Sequence, residues 1–223
     1  MKTPTPSLRQ SAFTFPELLI VLSVMIFLGA LMLPSLAKAK TRSPQVRCAS
    51  NLKLIALSFK MFAGDNDQNF PYFATGSPAY QNTSNAWKHF LSISNELGST
   101  KILMCPTDGR RQPWMANTFG PTTNRDMISL TYVQNRGVSY FLNVDASERE
   151  PNMVLLGDRN VFSPGQSLNG SLLELPGTSE LQWTGSLHTN RGMVALSDGS
   201  TSYNMKTVPA WRDHPDKVRL LLP

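Results

Sequence analysis

The feature that most constrains this chain is a run of twenty residues without a charged side chain, residues 18–37. Roughly 20 predominantly apolar residues are enough for a helix to cross a bilayer. Residues 18–33 are apolar all round, which predicts a helix embedded in lipid or fully buried in protein. A glutamate, Glu17, comes directly before the run. An ionisable group at a membrane span is costly to place and therefore indicates a function.

The net charge of +6 is concentrated at the N-terminal end of the chain. Residues 1–64 hold eight basic side chains against Glu17 alone, whereas the remaining 159 residues hold 13 basic and 14 acidic side chains. The C-terminal part is therefore close to neutral. A basic face for nucleic acid is not indicated on it, because such a face needs clustered positive charge.

The residues around Glu17 form a recognisable pattern. A short leader with Lys2 and Arg9 precedes the segment Ala12-Phe-Thr-Phe-Pro-Glu17. This arrangement resembles the processing site of type IV prepilins and type II secretion pseudopilins. The resemblance implies that a prepilin peptidase cuts between Ala12 and Phe13, and that the new N-terminus at Phe13 is methylated.

The same resemblance gives Glu17 a role. Glu17 stands four residues after Phe13, so its carboxylate and the new ammonium lie on one side of a helix. In the family's filaments this glutamate meets the ammonium of a neighbouring subunit in an apolar core, where an unpaired carboxylate would be costly. Two residues depart from the usual pattern. Ala12 replaces a glycine, and Pro16 replaces an aliphatic residue, which a first helical turn tolerates.

Two other interpretations of the apolar run remain open. A secretory signal peptide would be cut after a small-x-small pattern such as Ala37-Lys38-Ala39, although the run is longer than the usual 7–15 residues. An ordinary signal anchor explains the length but not the Phe-Thr-x-x-Glu start. The basic residues that follow the span favour a cytoplasmic C-terminal part by the positive-inside rule, whereas the processing motif requires a cytoplasmic leader. We follow the motif, and expect a single-pass protein of the bacterial inner membrane with a periplasmic globular part.

A second helical segment is expected after the span. Pro34 is predicted to kink the first helix. Apolar residues then recur at spacings of four and three, which predicts one apolar helix face packed against a globular domain; they are Cys48, Leu52, Ile55, Phe59 and Phe62. The expected organisation is a cleaved leader at 1–12, a transmembrane or filament-core helix at 13–37, an amphipathic helical extension at 38–64 and a β-rich globular domain at 65–223.

The globular part has short apolar runs separated by Gly, Pro, Asn and Ser, which is typical of a loop-rich β domain. Residues 153–156 are expected to form a buried strand. Residues 193–196 and 201–203 flank an Asp198-Gly199 turn and predict a hairpin. Further strands are expected at 128–133 and 138–144, and a short helix at 87–97. The predicted fold is α+β and pilin-like, with a long N-terminal helix packed on a small antiparallel sheet.

The two cysteines, Cys48 and Cys105, allow two alternatives. They form a disulfide if this part of the chain lies in an oxidising compartment, or they remain as two buried thiols. On sequence alone they are too few and too far apart for a zinc site.

A second resemblance covers more of the chain. Its elements are Cys48-Ala-Ser-Asn-Leu-Lys, Asp65-Asn-Asp67 before Phe-Pro, Met-Cys105-Pro-Thr-Asp108, and His188 followed after nine residues by Asp198-Gly199. These elements resemble the large pseudopilin-like families of Planctomycetes and Verrucomicrobia. That resemblance implies a prepilin stem followed by a small β-rich domain.

Enzyme motifs and regular metal-ligand spacings are absent from the sequence. A triad of His188, Asp198 and Ser186 can be drawn, but the preferred interpretation is that His188, Asp198 and Gly199 fix the terminal hairpin by hydrogen bonds to the backbone. The oxygen ligands of Asp65, Asp67 and Asn69 alternate as at the start of a calcium loop, but the later glycine and glutamate are missing. We therefore expect no resident metal or cofactor and no catalytic residues.

The sequence therefore predicts a structural subunit that is processed by a prepilin peptidase and joins other pilin or pseudopilin subunits in a pseudopilus or pilus. The competing interpretation is an exported enzyme or ligand-binding domain that uses the prepilin signal only for localisation. Its site would lie in the loops at 72–123. A surface concavity lined by several titratable groups would favour that alternative.

Overall fold

A computed structural model describes residues 14–124, 127–164, 171–176, 181–205 and 217–223. The chain divides into two compact units, Met1–Ser43 and Pro44–Pro223. The second unit begins about twenty residues earlier than the globular domain expected from the sequence. The reason is that the last part of the N-terminal helix belongs to its core.

Helix α1 runs from Phe15 to Gly64 as one element. The two helical parts predicted on either side of Pro34 belong to this one helix, which continues through the proline. Within the first unit, Phe15–Met32 is long and apolar enough to cross a membrane, and none of it is buried. A signal sequence would meet the same criteria of length and composition.

Within the second unit, the predicted apolar face of α1 is confirmed. Cys48, Leu52, Ile55 and Phe59 are buried, and Phe62 is half-buried against the same core. This burial holds the C-terminal part of α1 in the globular domain, because removing apolar side chains from water stabilises the packed state.

A six-stranded antiparallel sheet forms the centre of the second unit. Its strands are β1 (Tyr140–Asn143), β2 (Val154–Asp158), β4 (Leu172–Pro176), β6 (Gly192–Leu196), β7 (Thr201–Met205) and β8 (Lys217–Leu221). Their order across the sheet is β4-β8-β1-β2-β6-β7. Strands β3 (Val161–Phe162) and β5 (Gln182–Trp183) form a separate two-stranded ribbon.

The sheet is apolar on both faces. Tyr140 and Leu142 of β1 join the core that includes α1, and Phe141 joins a second core with Trp183 of the ribbon. Alternation along a strand sends successive side chains to opposite faces, which accounts for the two cores. The structure is thus α+β, with an N-terminal apolar helix and an antiparallel sheet.

The predicted hairpin, the buried strand after Met153 and the strand within 138–144 are present as β6–β7, β2 and β1. The helix predicted at 87–97 is present as α2 (Ala86–Ser92) and α3 (Ser94–Leu97). The strand predicted at 128–133 is wrong. Leu130–Val133 forms a helical turn, α4, because the Ser129 hydroxyl caps it by accepting from the Tyr132 amide.

Candidate functional site

The predicted cleavage site, Ala12 and Phe13, lies outside the described residues. Glu17 lies in the first turn of α1. Its carboxylate accepts hydrogen bonds from the Thr14 amide at 2.9 Å and from the Thr14 hydroxyl at 2.8 Å. The Thr14 carbonyl in turn accepts from the Leu18 amide. Thr14 and Glu17 thus have the spacing of a capping box, in which the glutamate satisfies the amide at the helix start.

The possible calcium ligands Asp65, Asp67 and Asn69 lie in a turn after α1. Asp65 and Asp67 are exposed and Asn69 is half-buried. Positive φ angles at Asp67 and Gln68 and the hydrogen bond from the Gln68 amide to the Ala63 carbonyl form the turn. The turn is accounted for by the end of α1, and the described residues supply no further acidic ligand to it.

The two cysteines form a disulfide. Cys48 lies on α1, and Cys105 follows a turn of 3-10 helix at Thr100–Leu103. Both residues are fully buried. The bridge therefore joins the helix to the loop that begins at Met104, and of the two alternatives left open by the sequence the structure has the disulfide.

His188 lies beside this disulfide rather than at the hairpin backbone. Its Nε2 atom lies 3.5 Å from Cys105 Sγ, 3.4 Å from Thr107 Oγ1 and 3.4 Å from Asp158 Oδ2. The interpretation of His188 as a residue that fixes the hairpin by backbone hydrogen bonds is therefore wrong. After His188, Thr189 and Asn190 both have positive φ angles, 54° and 60°, and such strained backbone recurs at functional sites.

The rest of the predicted motif does lie in the hairpin. Asp198 and Gly199 form the turn between β6 and β7, with the Asp198 carboxylate accepting from the Ser200 amide at 2.7 Å and Gly199 at φ 86°. The Lys60 ammonium donates to the Asp198 carbonyl at 3.3 Å. A Cβ atom on Gly199 would lie 3.3 Å from a methyl group of Leu57. The turn therefore packs on α1, and the positive φ angle and the close methyl group both favour glycine at position 199.

The three side chains of the possible triad, His188, Asp198 and Ser186, do not lie together. Ser186 pairs with Thr184 at 3.0 Å, and the Asp198 carboxylate is committed to its own turn. The acidic group beside His188 is Asp158, at the end of β2. No sequence signal singles out Asp158, because its approach to His188 depends on the position of the loop after β5.

Burial sets the charge of the His188–Asp158 pair. Burial raises the pKa of Asp158 to about 8, against a hydrogen bond from the Met193 amide that lowers it. Burial also lowers the pKa of His188. Both directions favour the neutral forms, because a desolvated charge is costly.

A second buried carboxylate, that of Asp108, lies in the loop that begins at Met104. The Asp108 carboxylate accepts two hydrogen bonds from the Arg159 guanidinium, both at 2.7 Å, and a third from the Ser139 hydroxyl at 2.8 Å. Burial alone would raise the pKa of Asp108, but the bonds from Arg159 and Ser139 outweigh it and the pKa is lowered. The sequence pattern contains Asp108 but gives no indication of its partner, which lies 51 residues away.

A cleft of about 480 Å³ lies by the β3–β5 ribbon. It is lined by Phe162, Gln182, Trp183, Thr184, Thr189, Asn190 and Arg191. Arg191 is the one titratable side chain among these lining residues, and the cleft is not in the loops at 72–123. It therefore lacks the several titratable groups that would favour an enzyme or a ligand-binding domain.

Comparisons of the chain with models of known protein families, with curated proteins and with solved structures each find no match.

Proposed function

We propose that this chain is a membrane-anchored, prepilin-like structural subunit. A prepilin peptidase cuts it between Ala12 and Phe13 and methylates Phe13, and the mature protein joins other pilin or pseudopilin subunits in a type II secretion pseudopilus or a type IV pilus-like assembly. The leader is cytoplasmic and the pilin-like globular domain is periplasmic.

The observation that carries the proposal is the exposed apolar helix that begins at Phe15 and has Glu17 in its first turn. None of Phe15–Met32 is buried by the rest of the chain. Contiguous apolar surface of this extent marks a membrane or protein interaction site. Lipid would cover this surface before assembly, and neighbouring subunits would cover it afterwards.

Glu17 is compatible with a second partner. Its contacts to Thr14 involve one carboxylate oxygen, Oε2. An ionised carboxylate offers about four acceptor positions on its two oxygens. Glu17 can therefore cap the helix and also accept from the ammonium of a neighbouring subunit.

The disulfide supports the proposed location of the globular domain. Disulfides persist in oxidising compartments such as the bacterial periplasm and are rare in the cytosol. A Cys48–Cys105 bridge therefore favours a second unit outside the cytoplasm, despite the basic residues that follow the span.

The mass of the mature N-terminus tests the processing. The full chain would be produced in cells with a prepilin peptidase, and the protein of the envelope fraction would be analysed by mass spectrometry. We expect a chain that starts at methylated Phe13, and an Ala12→Gly variant with the usual residue at the cut should give the same product. A chain that starts at Lys40 would refute the proposal in favour of ordinary secretion.

Two substitutions of Glu17 separate capping from assembly. Glu17→Gln keeps an oxygen for the Thr14 amide, since glutamine also serves in a capping box, but it removes the charge. Glu17→Ala removes both. We expect both variants to insert in membranes and both to be lost from the multi-subunit products of chemical cross-linking, in cells that also produce a pilus or pseudopilus assembly machine. If the Gln variant assembles like the wild type, Glu17 is a cap and not an assembly residue.

A further inference from the structure

The disulfide lies within a buried group of metal-ligating side chains. The Sγ atoms of Cys48 and Cys105 and a ring nitrogen of His188 all lie within 4.8 Å of one another, and all three residues are buried. The Asp158 carboxylate lies 3.4 Å from His188 Nε2. Three potential ligands thus come together from α1, from the loop after Met104 and from the loop before β6, and a carboxylate at the end of β2 lies next to the histidine.

The polar atoms of this cluster are incompletely satisfied. Asp158 is fully buried, yet its Oδ1 atom has no hydrogen-bond partner among the described residues. Most buried polar side-chain atoms in native proteins have a partner, so an exception calls for an explanation. A cation held beside Asp158 would compensate the cost of burying this carboxylate.

The chemistry of the cluster depends on its redox state. In the disulfide each sulfur is neutral and bonded to the other, and it is the thiolate that ligates metals. Reduction adds two electrons and two protons and gives two thiols. Those electrons would come from a dithiol, which is itself oxidised to a disulfide, or from a phosphine, which takes its oxygen from water.

We propose that the reduced protein binds one Zn²⁺ through Cys48, Cys105 and His188, with Asp158 as the fourth ligand. Two thiolates, an imidazole and a carboxylate are ligands that Zn²⁺ takes in a tetrahedral site, and the two thiols and the Asp158 carboxyl group release their protons on binding. Soft thiolates favour zinc over calcium or magnesium, which prefer oxygen. Zinc and the disulfide are thus alternative links between α1 and the loop after Met104. This inference does not depend on the proposed processing or assembly.

Cobalt binding tests the site. The full chain in detergent would be unfolded, reduced with a phosphine under nitrogen, refolded and titrated with Co²⁺, whose absorption reports thiolate ligation and tetrahedral geometry. We expect one equivalent of Co²⁺ to bind, Zn²⁺ to displace it, and the oxidised protein to bind none. Absence of thiolate absorption in the reduced protein, or equal binding by the oxidised protein, would overturn the proposal.

Variants separate ligation from folding. His188→Ala should weaken Co²⁺ binding at least tenfold, and His188→Cys should restore it with a changed spectrum, because cysteine is also a zinc ligand. The matched control is His89→Gln, which changes a buried histidine that bonds the Asn82 carbonyl. If the reduced chain folds poorly without metal, addition of Zn²⁺ should return its tryptophan fluorescence to that of the folded, oxidised protein. An unchanged affinity in His188→Ala, or no recovery with Zn²⁺, would contradict the assignment.

Discussion

Removal of the disulfide should destabilise the globular unit by an amount set by the loop that it closes. The bridge links residues 57 positions apart in the chain. In the chain-entropy description, a closed loop of this length removes conformational freedom from the unfolded state worth about 4 kcal/mol at 25 °C. The Cys48→Ala/Cys105→Ala double variant should lose about this much free energy of unfolding. The buried position of both sulfurs adds a smaller packing loss.

Urea unfolding of the full chain in detergent micelles measures this change. All four tryptophans follow residue 64, so their fluorescence reports the second unit rather than the apolar helix. EDTA in every sample prevents metal from replacing the bridge. The reduced wild type should match the double variant within about 1 kcal/mol, since both have an open loop. A double variant that is less than about 1 kcal/mol weaker than the oxidised wild type would refute this reasoning.

Two further predictions concern buried charges. Burial lowers the pKa of His89 from 6.5 to about 4, so the unfolded chain takes up the proton first as the pH falls. The free energy of unfolding should therefore drop by about 3 kcal/mol between pH 6.5 and pH 4, and urea unfolding of His89→Gln should show a smaller drop; equal slopes would contradict the assignment. Arg159→Met should cost about 3–5 kcal/mol because it leaves Asp108 buried without its cation. Adding Asp108→Asn should recover part of that loss in thermal unfolding, and a purely additive double variant would show that the two side chains are not coupled.

Local periodicity accounts for the parts of the fold that the sequence predicts. The apolar face of α1 is visible as spacings of four and three because a helix places such residues on one side. The β6–β7 hairpin is visible because Asp198-Gly199 is a strong turn signal. At 128–133 the apolar run suggests a strand, but the capping hydroxyl of Ser129 favours a helical turn. Propensity is a weak guide where a cap competes with it.

The candidate site was only partly visible in the sequence. Cys48, Cys105 and His188 each stand in a recognisable pattern, but the patterns are separated by 57 and 83 residues. The sequence assigned His188 to its own hairpin because local hydrogen bonds are the simplest expectation for a polar residue next to a turn. From the sequence, Asp158 is recognisable only as a residue at the end of a buried strand. The residues next to it in the chain give no indication that it contacts a histidine.

By itself, the sequence determined that an apolar helix with Glu17 at its start lies near the N-terminus, and that an α+β domain with the β6–β7 hairpin follows. These features depend on neighbours within one or two helical turns, or across one tight turn. The tertiary structure decided that Cys48, Cys105 and His188 meet at one buried point, with Asp158 in contact with the histidine. Such meetings depend on how helix, loops and strand pack around a shared core, and long-range packing leaves no periodic trace in a single sequence.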